Sequence, residues 1–312
     1  MSHKNKVSLP QQVFDALDAK ARYGHAKKDD RADGVADKYI YSYETMATYK
    51  KQALPFVAWA KKDEQIREDL GRSPRTLAEI RPYAERYLKE REAEGKSAYT
   101  LKTQRAALSK LYRERIEVEL RGAKRSEITR SRGDAVRDKH FSTERNADLV
   151  TFCKCAGPRR AELARLSPSA LVWKDGAPYI HFTKGTKGGR ERISPLVGSP
   201  DEIRTALRYL DTLTGNNKIH SAADIHSYRA EYATRVYLAH ARDLSTLKGQ
   251  KVDVTALTGK TRADGSRVVR SAIYACRGDR RGDKMDRAAM IAASQALGHN
   301  RESVVGEHYI RI

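Results

Sequence analysis

Residues 122–140 cannot help to fill a hydrophobic core. The run from Gly122-Ala123-Lys124-Arg125 to Lys139-His140 holds few large apolar side chains and many cations. It splits the chain into two parts, each of which must bury apolar surface of its own. A chain of 312 residues is long enough for one large domain or two ordinary ones. Read as an interdomain linker, this run can lie along a phosphate backbone, with Lys124 and Arg125 as contacts; a disordered basic loop is the other reading.

The part before it has helical periodicity. Residues 1–37 read as an N-terminal segment: a short helix over 9–23 with Val13, Leu17 and Ala21 on one side, then a polar Gly/Asp/Lys-rich loop over 24–37. Residues 38–121 read as a small helical domain. A helix starting after Ser42 places Met46, Tyr49, Ala53, Phe56, Val57 and Ala60 on one face, with Pro55 as a point for a kink. Thr76 and Glu79 match a capping box that opens a helix with Leu77, Ile80, Ala84, Tyr87 and Leu88 inward. Gly95 ends it. In a third helix Leu101, Leu108, Leu111 and Tyr112 form a stripe, and Lys102, Arg105, Lys110 and Arg113 fall outside it. Those cations are either a solvated face or a surface for nucleic acid.

Residues 141–312 change pattern. A helix runs through Leu149, Phe152 and Cys153. Short strand-like runs follow at Ala170–Lys174, Tyr179–Lys184 and Arg190–Leu196, separated by Asp175-Gly176 and Gly185–Gly189. Ser199-Pro200-Asp201-Glu202 opens another helix, and two further helices should carry His226 and Tyr309. The fold class expected is mainly α with a small antiparallel sheet.

Lysine and arginine total 61 against 40 acidic residues, a net charge of +21. Such a field attracts polyanions, above all nucleic acid. The cations are spread along the chain and adjoin no apolar run of membrane length, so a membrane is not an expected partner. The start leads into no signal-peptide core. Cys153, Cys155 and Cys276 are few and odd in number, as in a reducing cytosol; without a matching Cys or His pair they suggest small buried side chains and no metal.

Four groups of residues fit one chemistry, the breaking of a phosphodiester by a side-chain oxygen. Non-bridging oxygens gain charge in the transition state, and arginine meets it with a planar fork of donors. Arg159 and Arg229 are the candidates. Lys184 and His226 are candidates for proton transfer, and Tyr309 for the nucleophile, since a phenol can form a covalent phosphate ester. Arg160 is an alternative to Arg159; neighbours on a helix point about 100° apart, so only one can face the phosphate. Lys187 is the alternative to Lys184, and either can be a plain phosphate contact, as can Arg190.

At these residues the chain resembles the tyrosine recombinase/phage integrase family. Gly157-Pro158-Arg159-Arg160-Ala161-Glu162-Leu163 is similar to the family's first box, with Arg159 on the catalytic arginine and Glu162 on the acidic residue that supports the pocket. Lys184-Gly185-Thr186-Lys187-Gly188-Gly189-Arg190 is similar to the hairpin that presents the catalytic lysine. Ile225-His226-Ser227-Tyr228-Arg229 resembles the second box, Leu297-Gly298-His299 supplies the second histidine, and Tyr309 falls on the nucleophile.

The resemblance implies a C-shaped two-domain DNA clamp, with a helical core-binding domain and a mostly helical catalytic domain. It implies a site-specific recombinase or integrase acting on double-stranded DNA at a specific core site. Tyr309 would form a 3′-phosphotyrosine and leave a 5′-hydroxyl. Lys184 would protonate the leaving oxygen, His226 would assist at the tyrosine, and His299 would hydrogen-bond the phosphate. Four copies, monomeric when free, would exchange strands through a Holliday junction without metal or cofactor, for a mobile element in the cytoplasm and nucleoid of a bacterium or phage host. A type IB topoisomerase or resolvase-like enzyme with the same pocket, or a DNA-binding relative without turnover, are the alternatives.

Two departures stand out. Arg229 and His299 are much farther apart than in compact members of the family, with an insertion at about 243–282 between them. Arg267, Arg270, Arg277, Arg280 and Arg281 make it either an added DNA arm or protomer contact, or a surface excursion without a role. After Tyr309 only Ile310, Arg311 and Ile312 remain, too few for the helix that many members dock on a neighbouring copy. Either the sequence is cut short there or assembly uses another element, for which the insertion or the 1–37 segment is the expected contact.

Overall fold

The computed structural model of the protein describes residues 7–123, 141–186, 189–259 and 261–312. Lys124, Arg125 and Lys187, three of the expected DNA contacts, and residues 124–140 of the expected linker lie outside them. The chain forms two compact units, Met1–Lys124 and Arg125–Ile312.

Among its described residues the first unit is built of helices, with one isolated bridge between Ala21 and Ile40. Its elements are α1 (Leu9–Asp18), α2 (Lys27–Ala32), α3 (Tyr43–Lys62), α4 (Glu64–Leu70), α5 (Leu77–Ile80), α6 (Ala84–Ala93) and α7 (Ala98–Tyr112). Ser8, Ser42, Asp63, Thr76 and Ser97 cap five of them by accepting a backbone N–H. Leu9, Val13 and Leu17 of α1 share one core with Phe56, Ile80, Tyr87, Leu88 and Leu108. α1 is therefore part of this domain's core. The polar stretch over 24–37 differs from the expected loop: it holds α2, whose Asp30 is buried and accepts from Tyr41 (2.6 Å) and pairs with Arg22 (3.1 Å).

The capping box at Thr76 is present, but the helix expected through 77–93 breaks at a 3₁₀ turn, Arg81–Tyr83. Pro82 has no N–H and its ring crowds the preceding turn, which accounts for the break. α3, by contrast, continues through Pro55. The cations of α7 divide. Lys102 is exposed. Arg105 donates to the Val118 carbonyl (3.3 Å). Lys110, expected on the outer face, is half-buried and donates to the carbonyls of Asp37 and Tyr39.

In the second unit, α8 (Ala147–Ala156) and α9 (Arg160–Ala164) precede an antiparallel sheet of β1 (Leu171–Lys174), β2 (Ala177–Phe182) and β3 (Arg192–Pro195), in that order. Then come α10 (Pro200–Asp211), α11 (Ile225–His240), β4 (Lys251–Asp253), α12 (Thr255–Thr258), β5 (Val269–Ser271), β6 (Ile273–Ala275), β7 (Lys284–Asp286), α13 (Arg287–Ala296) and α14 (Glu302–His308). One core lies among α8, α10 and the sheet; a second joins α11, α13 and α14. Within Arg267–Cys276 the chain forms two strands, β5 and β6. At Ala272 the chain leaves β4 and turns to β7, with its N–H on Gln250 (2.9 Å) and its carbonyl on the Arg287 N–H (2.7 Å). Among the described residues no helix is long and apolar enough to cross a membrane.

Candidate active site

Two helix ends build the site. α8 stops at Gly157 (φ +60°), and α13 is followed by Gly298 (φ +66°). A side chain fits at neither. A Cβ on Gly157 would stand 2.1 Å from the Tyr232 ring, and one on Gly298 would stand 2.7 Å from the Arg192 side chain. Both turns expose carbonyls that the helix itself leaves unpaired.

Three guanidinium groups take those carbonyls. Arg229, on α11 and 1% exposed, donates to Gly157 and to Leu297, the latter at 2.5 Å. Arg159 donates to the same Leu297 oxygen at 3.1 Å. Arg192, on β3, donates to Gly157 (3.1 Å) and Ala296 (2.7 Å) and lies 3.9 Å over the Phe182 ring. The negative ends of two helix dipoles thus face the cations.

Glu162 joins the three. Its side chain is fully buried; its carboxylate reaches Arg159 at 2.5 Å, Arg192 at 2.7 Å and Arg229 at 3.9 Å, and accepts the Arg159 N–H at 2.7 Å. Burial alone would raise its pKa, but Arg192 first, and then Arg159 and Arg229, hold it below the ordinary carboxylate value. Burial lowers Arg229 to about 9, with Arg192 and Arg159 adding repulsion, so it remains charged at neutral pH. Three guanidiniums against one carboxylate leave a surplus of positive charge.

The surplus faces a cleft of about 820 Å³ lined by Arg159, Arg229, His226, His299 and Tyr309. The Tyr309 ring stands 5.2 Å from each imidazole, centroid to centroid, and 5.8 Å from the Arg229 guanidinium carbon. His226 comes from the first turn of α11, capped by Asp224. His299 follows Gly298, and its N–H donates to the Ser294 carbonyl (2.8 Å). Tyr309 sits just past α14 with its N–H on the Val305 carbonyl (2.9 Å). Five residues far apart in the chain thus meet at one opening able to seat an oxyanion between cations, two imidazoles and a phenol.

Other candidates sit differently. Arg160 points away from the cluster and donates to the carbonyls of His220 (2.8 Å), Ser221 (3.2 Å) and Ala223, fixing the approach to α11. Arg190 and Arg301 line the cleft rim; Arg301 was not anticipated. Lys184 is exposed at the end of β2 and lines a separate small cavity beside Glu162, so the described structure does not bring it to Tyr309. Arg192 is the chief omission of the sequence reading. It looked like one more cation in a basic hairpin, because Arg192-Ile193-Ser194 has its polar residues inward and Ile193 exposed. The signal was in the register: Arg192 pairs with inward-facing Phe182.

No family profile matches the chain, and no curated protein matches it in sequence. Among solved structures it is similar to the XerH site-specific recombinase bound to difH substrate in pre-cleavage and post-cleavage complexes. Each comparison gives 15% identity over 98% of this chain and 88% of that one, with a TM-score of 0.46. It is also similar to the Tn1549 transposon integrase in complex with transposon right-end DNA, at 10% identity over 96% of this chain and 95% of that one, with a TM-score of 0.40.

Proposed function

We propose that the chain is a tyrosine recombinase that breaks and rejoins DNA at a specific core site. The observation that carries the reading is the meeting of Tyr309, His226 and His299 at a cleft walled by Arg159 and Arg229. The Tyr309 oxygen attacks a DNA phosphorus. A Tyr–O–P bond forms as the bond to the 5′ oxygen breaks, leaving a 3′-phosphotyrosine and a 5′-hydroxyl. Arg159 and Arg229 hold the non-bridging oxygens, where charge accumulates. His226 receives the phenol proton and His299 hydrogen-bonds the phosphate. Glu162 and Arg192 keep the guanidiniums in place. Because the ester conserves the bond energy, reversal by another 5′-hydroxyl rejoins strands without a cofactor. Four copies on two duplexes, passing through a Holliday junction and serving a mobile element, complete the reading.

Nicked duplexes cut from the DNA that flanks the gene test it. Incubation with the protein should give a covalent adduct on a denaturing gel, absent with Tyr309→Phe. No adduct on any duplex that the protein binds tightly would overturn the reading in favour of a binding protein; relaxation of plasmids lacking any such site would favour a topoisomerase. Lys184 has its own arm. If it supplies the leaving-group proton, Lys184→Ala slows cleavage of an ordinary phosphodiester, and a 5′-thiol leaving group, which needs no proton, restores the rate.

A further inference from the structure

Two arginines of the long excursion between the second box and His299, Arg270 and Arg280, are tied to other parts of the fold, Arg280 mostly covered and Arg270 about half exposed. They go to the two ends of the helix that precedes Tyr309. At its start, Glu302 is 2% exposed and its carboxylate meets Arg270 of β5 at 3.1 Å. Arg287 joins at 2.6 Å and is itself tied to the Ser271 carbonyl (2.6 Å). At its end, the Arg280 guanidinium donates to the carbonyls of Gly306 (3.1 Å) and Ile310 (2.9 Å), which flank Tyr309 on either side. Asp283, on the same turn of the excursion, anchors Arg280 at 2.8 Å. Between the two ends, Tyr274, Cys276 and Met285 share a core with Val305, Tyr309 and Ile310.

We propose that this excursion is a brace for the nucleophile segment, with Arg280 as the positioning residue that sets Tyr309 against the cleft. The proposal rests on Tyr309 being the nucleophile. α14 has seven residues, too few to hold a helix on its own. Its last carbonyls have no partner within the helix and need an external donor. One terminal nitrogen of Arg280 donates to the carbonyls on both sides of the tyrosine, so the backbone there is pinned while the phenol stays directed at the histidines. An error of about 1 Å in placing a reacting group can cost up to roughly a hundredfold in rate, which makes such pinning consequential.

The test has an arm without DNA and an arm with it. In hydrogen–deuterium exchange of the free protein, Arg280→Ala should raise exchange over residues 302–312 by about tenfold and leave residues 225–240 as they were. Arg280→Lys should recover part of the protection. Arg281→Ala, which removes an exposed neighbouring charge, should not change exchange over 302–312. With a nicked duplex that wild type cleaves, Arg280→Ala should slow single-turnover adduct formation about tenfold at saturating DNA, with Kd within about twofold. If Arg280→Ala does not fold, Arg270→Ala takes its place, since Arg287 still holds Glu302. Unchanged exchange over 302–312, or a cleavage rate within about twofold of wild type, overturns the brace. Absence of any wild-type adduct overturns the recombinase reading instead, and the exchange arm still decides the brace.

Discussion

Glu162 shows how one side chain organises several. It is the only acidic group reaching Arg159, Arg192 and Arg229 among the described ion pairs. Glu162→Gln keeps the shape but leaves buried guanidiniums without a counter-charge. The second unit should lose about 3–5 kcal/mol in urea unfolding. The pH sign follows from its pKa, which lies below the ordinary 4.5. Its contribution is complete above 4.5 and is lost as pH falls through the lower folded value. Wild type should therefore lose stability below about pH 4.5 more steeply than Glu162→Gln. Equal acid profiles would remove Glu162 from this role. Gly157 is a second such point: Gly157→Ala adds positive-φ strain and a contact with the Tyr232 ring, costing on the order of 3 kcal/mol by thermal melting.

Elements of this protein are held together by cations in unusual places. Lys20, 3% exposed, follows α1 and donates to the carbonyls of Ala16 (2.5 Å) and, on α7, Leu111 (3.2 Å). Burial, with Arg113 and Lys110 nearby, lowers its pKa to about 8. A neutral amine keeps two N–H donors, so both bonds can survive titration. The folded state gives up the proton before the unfolded chain does, so stability of the first unit should rise as pH climbs from about 8 towards 10.5. NMR titration of the Lys20 side chain checks this; a midpoint near 10.5 would contradict its burial.

For the molecule as a whole, the charge of +21 governs encounter with DNA. If about six phosphates are neutralised, affinity should fall on the order of a thousandfold between about 50 and 200 mM salt. Individual cations should differ according to where the fold puts them. Lys102 is exposed, and Lys102→Gln should reduce the slope of log Kd against log salt by about one. Lys110 already serves two carbonyls, so Lys110→Gln should lower stability and leave that slope unchanged. A titration of affinity against salt for both variants decides between them.

Local chemistry made much of this protein legible from its sequence. The caps at Ser42, Thr76 and Ser199, the inward stripes of α3 and α7 and the turn at Asp175-Gly176 depend on residues a few positions apart. The five residues of the cleft were legible too, because each sits in a short run whose residue types suit the chemistry. Tertiary structure alone decided which cations face inward. Arg192, Arg280 and Lys110 look in sequence like the arginines and lysines around them, and their partners lie up to 104 positions away. A guanidinium is drawn inward when helix ends and a buried carboxylate converge on it, and that convergence exists only once the chain has folded.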